Sequence, residues 1–175
     1  MILSKEKPIF DCDKARREAA RVLRENTISD PPVDVREIAS NYGIKIVRVI
    51  FKAGHKDISG FLDFPEKTIY INNEEAYNRN TFTIAHELGH YFLHKEILQD
   101  HPKEYQVLMR RPLASDQDWK EKEANAFAAH LLVPHEFLNR YKDFANVAQL
   151  AKAFIVSPEV IRYQLAWKRK PISQN

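Results

Sequence analysis

The chain has 175 residues, 44% hydrophobic and 29% charged, an ordinary globular balance long enough to bury a sizeable core in one domain. A net charge of +3 is weak for a phosphate-binding surface, so DNA binding is possible but not favoured. The single cysteine, Cys12, excludes an intramolecular disulfide and fits a reducing, cytoplasmic setting; no long apolar stretch follows Met1–Lys7 to form a signal peptide or membrane span.

From Asp13 to Arg24, Ala15, Ala19, Val22 and Leu23 recur at i, i+4, i+7 and i+8 among charged residues, which predicts a surface helix with one apolar stripe. Asp30-Pro31-Pro32 closes this N-terminal helical segment, about residues 1–32. Val35 to Tyr42 predicts a short helix ended by Gly43, and the β-branched run Ile44 to Phe51 predicts a strand. Gly60 to Phe64 and Thr68 to Asn72 flank Pro65-Glu66 as a hairpin, with Ile69 and Ile71 on its core face.

The next segment carries the chemistry. Between Phe82 and His94 there is no proline, alanine and apolar residues dominate, and Asn80 or Thr81 offers an N-cap, so a helix is predicted. Within it His86-Glu87-Leu88-Gly89-His90 spells H-E-x-x-H. Four residues apart on a helix, both imidazoles lie on one face and reach a single tetrahedral Zn²⁺, while Glu87 sits beside the water that ion would activate. Two buried histidines and a glutamate without an ion would each need a separate polar partner. His94 stands one further turn along, but a straight helix drifts by about 40° per four residues and does not aim all three rings at one ion. A positioning or substrate-facing role for His94 competes with that of a plain surface histidine. His55, His101, His130 and His135 are expected to be mostly solvated.

After a polar, irregular stretch containing Met109-Arg110-Arg111-Pro112 and Ser115-Asp116-Gln117-Asp118, a second helix runs from Trp119 to Pro134. Its apolar stripe Ala124, Phe127, Ala128, Leu131 and Leu132, extended backwards by three, lands on Glu121. Glu121 is therefore directed inward as the third metal ligand, because a buried carboxylate is costly unless a cation meets it. Glu123, about 200° around the helix, is expected to face water. Asn125, on the Glu121 face, is expected to orient a ligand by hydrogen bonding.

Asn146 to Leu165 has the pattern of a short helix-turn-helix, followed by Lys168-Arg169-Lys170. Packing on the core, or recognition of a protein, is the favoured reading of these C-terminal helices. The expected organisation is a core over about residues 33–134 and a helical segment over about 135–175.

The two motifs together, Phe82-Thr83-Ile84-Ala85-His86-Glu87-Leu88-Gly89-His90 and, about thirty residues on, Glu121-x-x-Ala124-Asn125-x-Phe127-Ala128-Ala129-x-Leu131-Leu132-x-Pro134, resemble the ImmA/IrrE-type zinc metallopeptidases. The resemblance implies a gluzincin-like α+β fold, a small mostly antiparallel sheet packed against helices, with ligands at His86, His90 and Glu121 and a general base at Glu87. It also implies a protein substrate, a helix-turn-helix transcriptional repressor. Where the family often has arginine before the motif phenylalanine, this chain has Thr81, with Arg79 nearby. In zinc peptidases an edge strand near the metal pairs with extended substrate, and Gly60 to Phe64 is the candidate edge. Tyr70, Tyr91, His94 and Arg79 are the candidates for stabilising a tetrahedral oxyanion. Two other functions remain open: a DNA-binding regulator with a structural zinc, and a toxin/antitoxin-like protein that binds its partner without cutting it.

Overall fold

The computed structural model describes residues 10–52, 58–100 and 119–167, with the side chains of 98–100 left aside. His55, His101, the Met109–Pro112 and Ser115–Asp118 stretches and Lys168–Lys170 lie outside these described residues.

Helix α1 (Cys12–Glu25) is capped by Asp11, whose carboxylate accepts the Lys14 N–H at 2.9 Å, and buries Ala15, Ala19, Val22 and Leu23 as its periodicity predicts. Helix α2 (Val35–Asn41) is capped in the same way by Asp34. The strands are β1 (Lys45–Val49), β2 (Gly60–Asp63) and β3 (Thr68–Asn72), in the order β1-β3-β2. β2 and β3 form the expected antiparallel hairpin, with Leu62 opposite Ile69.

β1 runs parallel to β3, with Ile46 opposite Ile69, so the sheet is mixed rather than mostly antiparallel. The most buried strand takes the centre. Ile69 and Ile71 of β3 are fully buried, and the connection after β1 carries the chain past β3 to the far edge.

Helix α3 (Tyr77–Leu93) packs on β2 and β3 through a buried face that includes Ile84, Ala85 and Leu88. It starts earlier than the sequence suggests, with Ala76 at the N-cap and no side-chain cap. Asn80 and Thr81 lie inside the helix instead, bonding the carbonyls of Glu75 and Tyr77. Gly60 permits the close seat of α3 on the sheet, since a Cβ there would stand 2.7 Å from Thr83 Cγ2 and 2.5 Å from the Tyr70 carbonyl.

After the short α4 (Lys95–Asp100), helix α5 (Trp119–Leu132) packs on α3 and also on α1. It is therefore buried on more than the one stripe read from its sequence. Glu123, expected in water, is 2% exposed, and His130, expected to be solvated, is 3% exposed. The face that holds them is covered by α1, where Lys14 meets Glu123 and Cys12 meets His130.

Gly89 marks the crossing of α3 and α5, because a Cβ there would lie 3.0 Å from Ala124 Cα and 3.1 Å from its carbonyl oxygen. Backbone atoms cannot rotate away. Gly89→Val is accordingly expected to cost about 1–3 kcal/mol or more by overpacking; a urea midpoint equal to wild type would contradict this contact.

The C-terminal helices are α6 (His135–Tyr141), α7 (Val147–Phe154) and α8 (Pro158–Ala166). An Asn146/Gln149 capping box opens α7, and α7 and α8 pair across a turn at Ile155. Their Leu150, Phe154 and Ile161 belong to the same buried cluster as Leu131 and Leu132 of α5. This agrees with packing on the core. Among the described residues no helix is long and apolar enough to cross a membrane.

Candidate metal centre

The i, i+4 spacing on α3 stacks His86 above His90, and the α3–α5 contact brings Glu121, in the first turn of α5, opposite both. His86 Nε2 and His90 Nε2 are 3.1 Å apart. Glu121 Oε2 lies 3.1 Å from His86 Nε2, and its Oε1 lies 3.1 Å from His90 Nε2. Three donors on a tetrahedral zinc, each about 2.0–2.1 Å from the ion, stand roughly 3.3 Å from one another. The residues fit the ion in type and spacing.

A second observation supports the fit. Asn125 Oδ1, which can only accept, lies 2.9 Å from His86 Nδ1, so that nitrogen carries the proton. A neutral His86 then turns its Nε2 lone pair toward the other two donors, where a proton or a metal ion is the cation they can share. The triangle is also reachable from one side: the His90 side chain is 2% exposed, but His86 is 15% and Glu121 36% exposed.

Glu87 is 4% exposed and accepts a hydrogen bond from the Leu62 backbone amide of β2. Its Oε2 is buried and has no hydrogen-bond partner among the described residues. Burial pushes its carboxyl pKa up, against the opposing pull of His86 and His90. Burial would push the Glu121 carboxyl up, but the His86 and His90 imidazoles beside it outweigh burial and hold that carboxyl well below the usual range.

For His86, burial disfavours the imidazolium, yet the Glu121 hydrogen bond and the nearby Glu87 and Glu121 charges win and raise its pKa above 6.5. A proton on Nε2 competes directly with a metal. Zinc affinity is therefore expected to keep rising with pH above 6.5, whereas the stability that protonated His86 gives the metal-free chain is lost as pH climbs through the raised value. Competition titration against a zinc chelator across neutral pH checks this, and a flat affinity above 6.5 would contradict it.

The remaining candidates are not among the three clustered donors. Tyr70 stacks on Phe61, 4.8 Å between ring centres, on the sheet face opposite Ile69 and Ile71, and reaches Glu66. Tyr91 packs between Phe64 and Phe92. Arg79 is 65% exposed, pairs with Glu75 and donates to Ser59 Oγ at 3.3 Å. His94 is not a surface histidine: it is 1% exposed, caps α3, and lies behind His90 with Nδ1 3.0 Å from His90 Nδ1. Burial, with His90 and Lys14 nearby, pushes its pKa down to about 2. Glu123, read from the sequence as a water-facing residue, meets His94 Nε2 at 3.2 Å. The signal that could have placed it was the run of alanines around α5, which marks a helix covered on several sides.

Comparison with known proteins gives the family. Residues 39–166 match the family described as IrrE N-terminal-like domain, a peptidase family. An uncharacterized immunity region protein 2 of Bacillus phage phi105 is 30% identical over 125 residues, covering 70% of each chain. Metallopeptidase ImmA of Bacillus subtilis (strain 168) is 34% identical over 101 residues, 56% of this chain and 54% of that protein, so the match spans about half of ImmA. A solved Mycobacterium tuberculosis transcriptional regulator shares the fold, with a TM-score of 0.65 at 17% identity over 91% of this chain and 48% of the other.

Proposed function

Because the chain belongs to the IrrE/ImmA-type metallopeptidase family, we propose that it is a zinc-dependent endopeptidase of regulatory type, hydrolysing a peptide bond in a helix-turn-helix repressor. The observation that carries the hydrolase reading is the triangle of His86, His90 and Glu121 donors beside the buried, half-unpartnered carboxylate of Glu87. The immunity-region and ImmA names of the relatives support the regulatory setting.

In this reading His86, His90 and Glu121 hold the zinc, which supplies Lewis-acid polarisation of the scissile carbonyl and a lowered pKa for the attacking water. Glu87 takes that water's proton at Oε2 and returns it to the leaving amine nitrogen. The Leu62 amide lies beside the Glu87 carboxylate and favours its ionised form. β2 is an edge of the sheet, with no strand on its outer side among the described residues. An extended substrate adding to that edge runs past Glu87, its main chain held by the strand.

A DNA-binding regulator with a structural zinc is less well supported, since such sites close with four protein donors and the described residues bring together three. The discriminating experiment incubates zinc-loaded protein with candidate helix-turn-helix repressors. Metal-dependent fragments abolished by chelation are expected. Stable co-purification without fragments would favour a non-cleaving binder, and salt-sensitive duplex binding that survives chelation would favour the DNA-binding regulator.

A further inference from the structure

Behind the proposed ligands lies a chain of polar groups that peptide hydrolysis does not itself require. Glu123 Oε1 accepts the Asp11 backbone N–H at 3.1 Å, and Oε2 faces Lys14 Nζ at 3.5 Å and His94 Nε2 at 3.2 Å. An amide and an ammonium only donate, so both oxygens accept, and His94 Nε2 is the protonated nitrogen. A neutral ring that donates at one nitrogen accepts at the other. His94 Nδ1 is thus an acceptor 3.0 Å from His90 Nδ1, and His90 must donate there. Its proton placed at Nδ1, His90 turns a bare Nε2 toward His86 and Glu121.

We infer that Glu123 and His94 are positioning residues forming a relay that fixes His90 in the metal-binding tautomer, anchored at its far end by helix α1. This rests on the metal reading of His86, His90 and Glu121. The relay is largely sealed: Glu123 is 2% exposed and His94 1%. Its anchor lies outside the family-matched residues 39–166, because Asp11 and Lys14 belong to the start of α1. The N-terminal helix is therefore part of the metal centre's support, in addition to covering α5. His86 is set from behind by Asn125 and His90 by His94, so each imidazole has its own orienting acceptor.

The tautomers can be read directly from long-range proton–nitrogen correlation spectra of isotope-labelled histidines in the wild-type chain, without metal and with zinc. The relay requires His90 protonated at Nδ1 and His94 at Nε2 in both states; the opposite tautomer at either residue overturns it. His94→Leu is expected to weaken zinc binding by about 10–100-fold in chelator competition, the usual effect of losing a ligand's orienting partner. His94→Gln keeps an oxygen able to accept the His90 proton and is expected to recover part of that loss. Glu123→Leu is expected to mix the two His94 tautomers. Zinc affinity equal to wild type in a folded His94→Leu chain would also overturn the relay, and if a variant fails to fold the wild-type spectra still decide. Failure of the wild type to bind zinc would remove the metal reading instead, while the metal-free spectrum continues to test the relay.

Discussion

Glu87→Gln is expected to retain its zinc and lose about 10²–10⁴-fold in cleavage rate, the range that a positioned general base contributes. The amide matches the carboxylate in shape and still offers an oxygen to the Leu62 N–H, so neither the helix nor the His86, His90 and Glu121 donors should shift. It cannot take a proton from water. Its fold should be no weaker than wild type: the raised pKa of Glu87 means that ionising it in this buried site costs stability as pH rises above the ordinary 4.5. Metal content per chain, melting temperature and cleavage rate, measured on one preparation, check all three expectations. Undiminished cleavage by a zinc-loaded Glu87→Gln chain would remove Glu87 from the base role.

His90→Ala is expected to have the largest combined effect, because it removes a ligand and strips the buried His94 Nδ1 of its donor. Leaving such a group unpaired costs about 1–3 kcal/mol, before the cavity is counted. The zinc-linked stabilisation goes as well, roughly 4 kcal/mol when free metal is a thousandfold above its dissociation constant. Wild type should therefore melt markedly higher with zinc than without, and His90→Ala should melt lower and show no zinc response. Glu121→Ala, at a site 36% exposed, should lose the zinc response with a smaller penalty to the metal-free fold. A zinc-induced shift of wild-type size in His90→Ala would show that the ion sits elsewhere.

Local patterns carried much of this architecture. The α1 stripe and the β2–β3 hairpin with Ile69 and Ile71 inward are each set by spacing within one element, and the structure reproduces them; the α5 stripe is buried too, but Ala126, Ala129 and His130 are buried beside it and Glu121 at its start is 36% exposed. The features that sequence reading missed depend on how elements meet. Periodicity turns Glu123 about 200° from Glu121, but α1 and the C-terminal end of α3 occupy that side, so the residue expected in water is buried against Asp11, Lys14 and His94. A straight helix does not aim His94 at the ion; it stands at the C-cap of α3 and meets His90 instead. The central place of β3 and the parallel pairing of β1 with it are non-local outcomes that no single strand's pattern encodes.

The central claim is that one ion is shared by His86, His90 and Glu121 with a vertex left open. X-ray absorption at the zinc edge of the stoichiometrically loaded wild-type chain tests it most directly. The account predicts two imidazoles and a carboxylate within about 2.0–2.2 Å, completed by solvent. A fourth protein donor, or a first shell lacking the paired imidazoles, would contradict it.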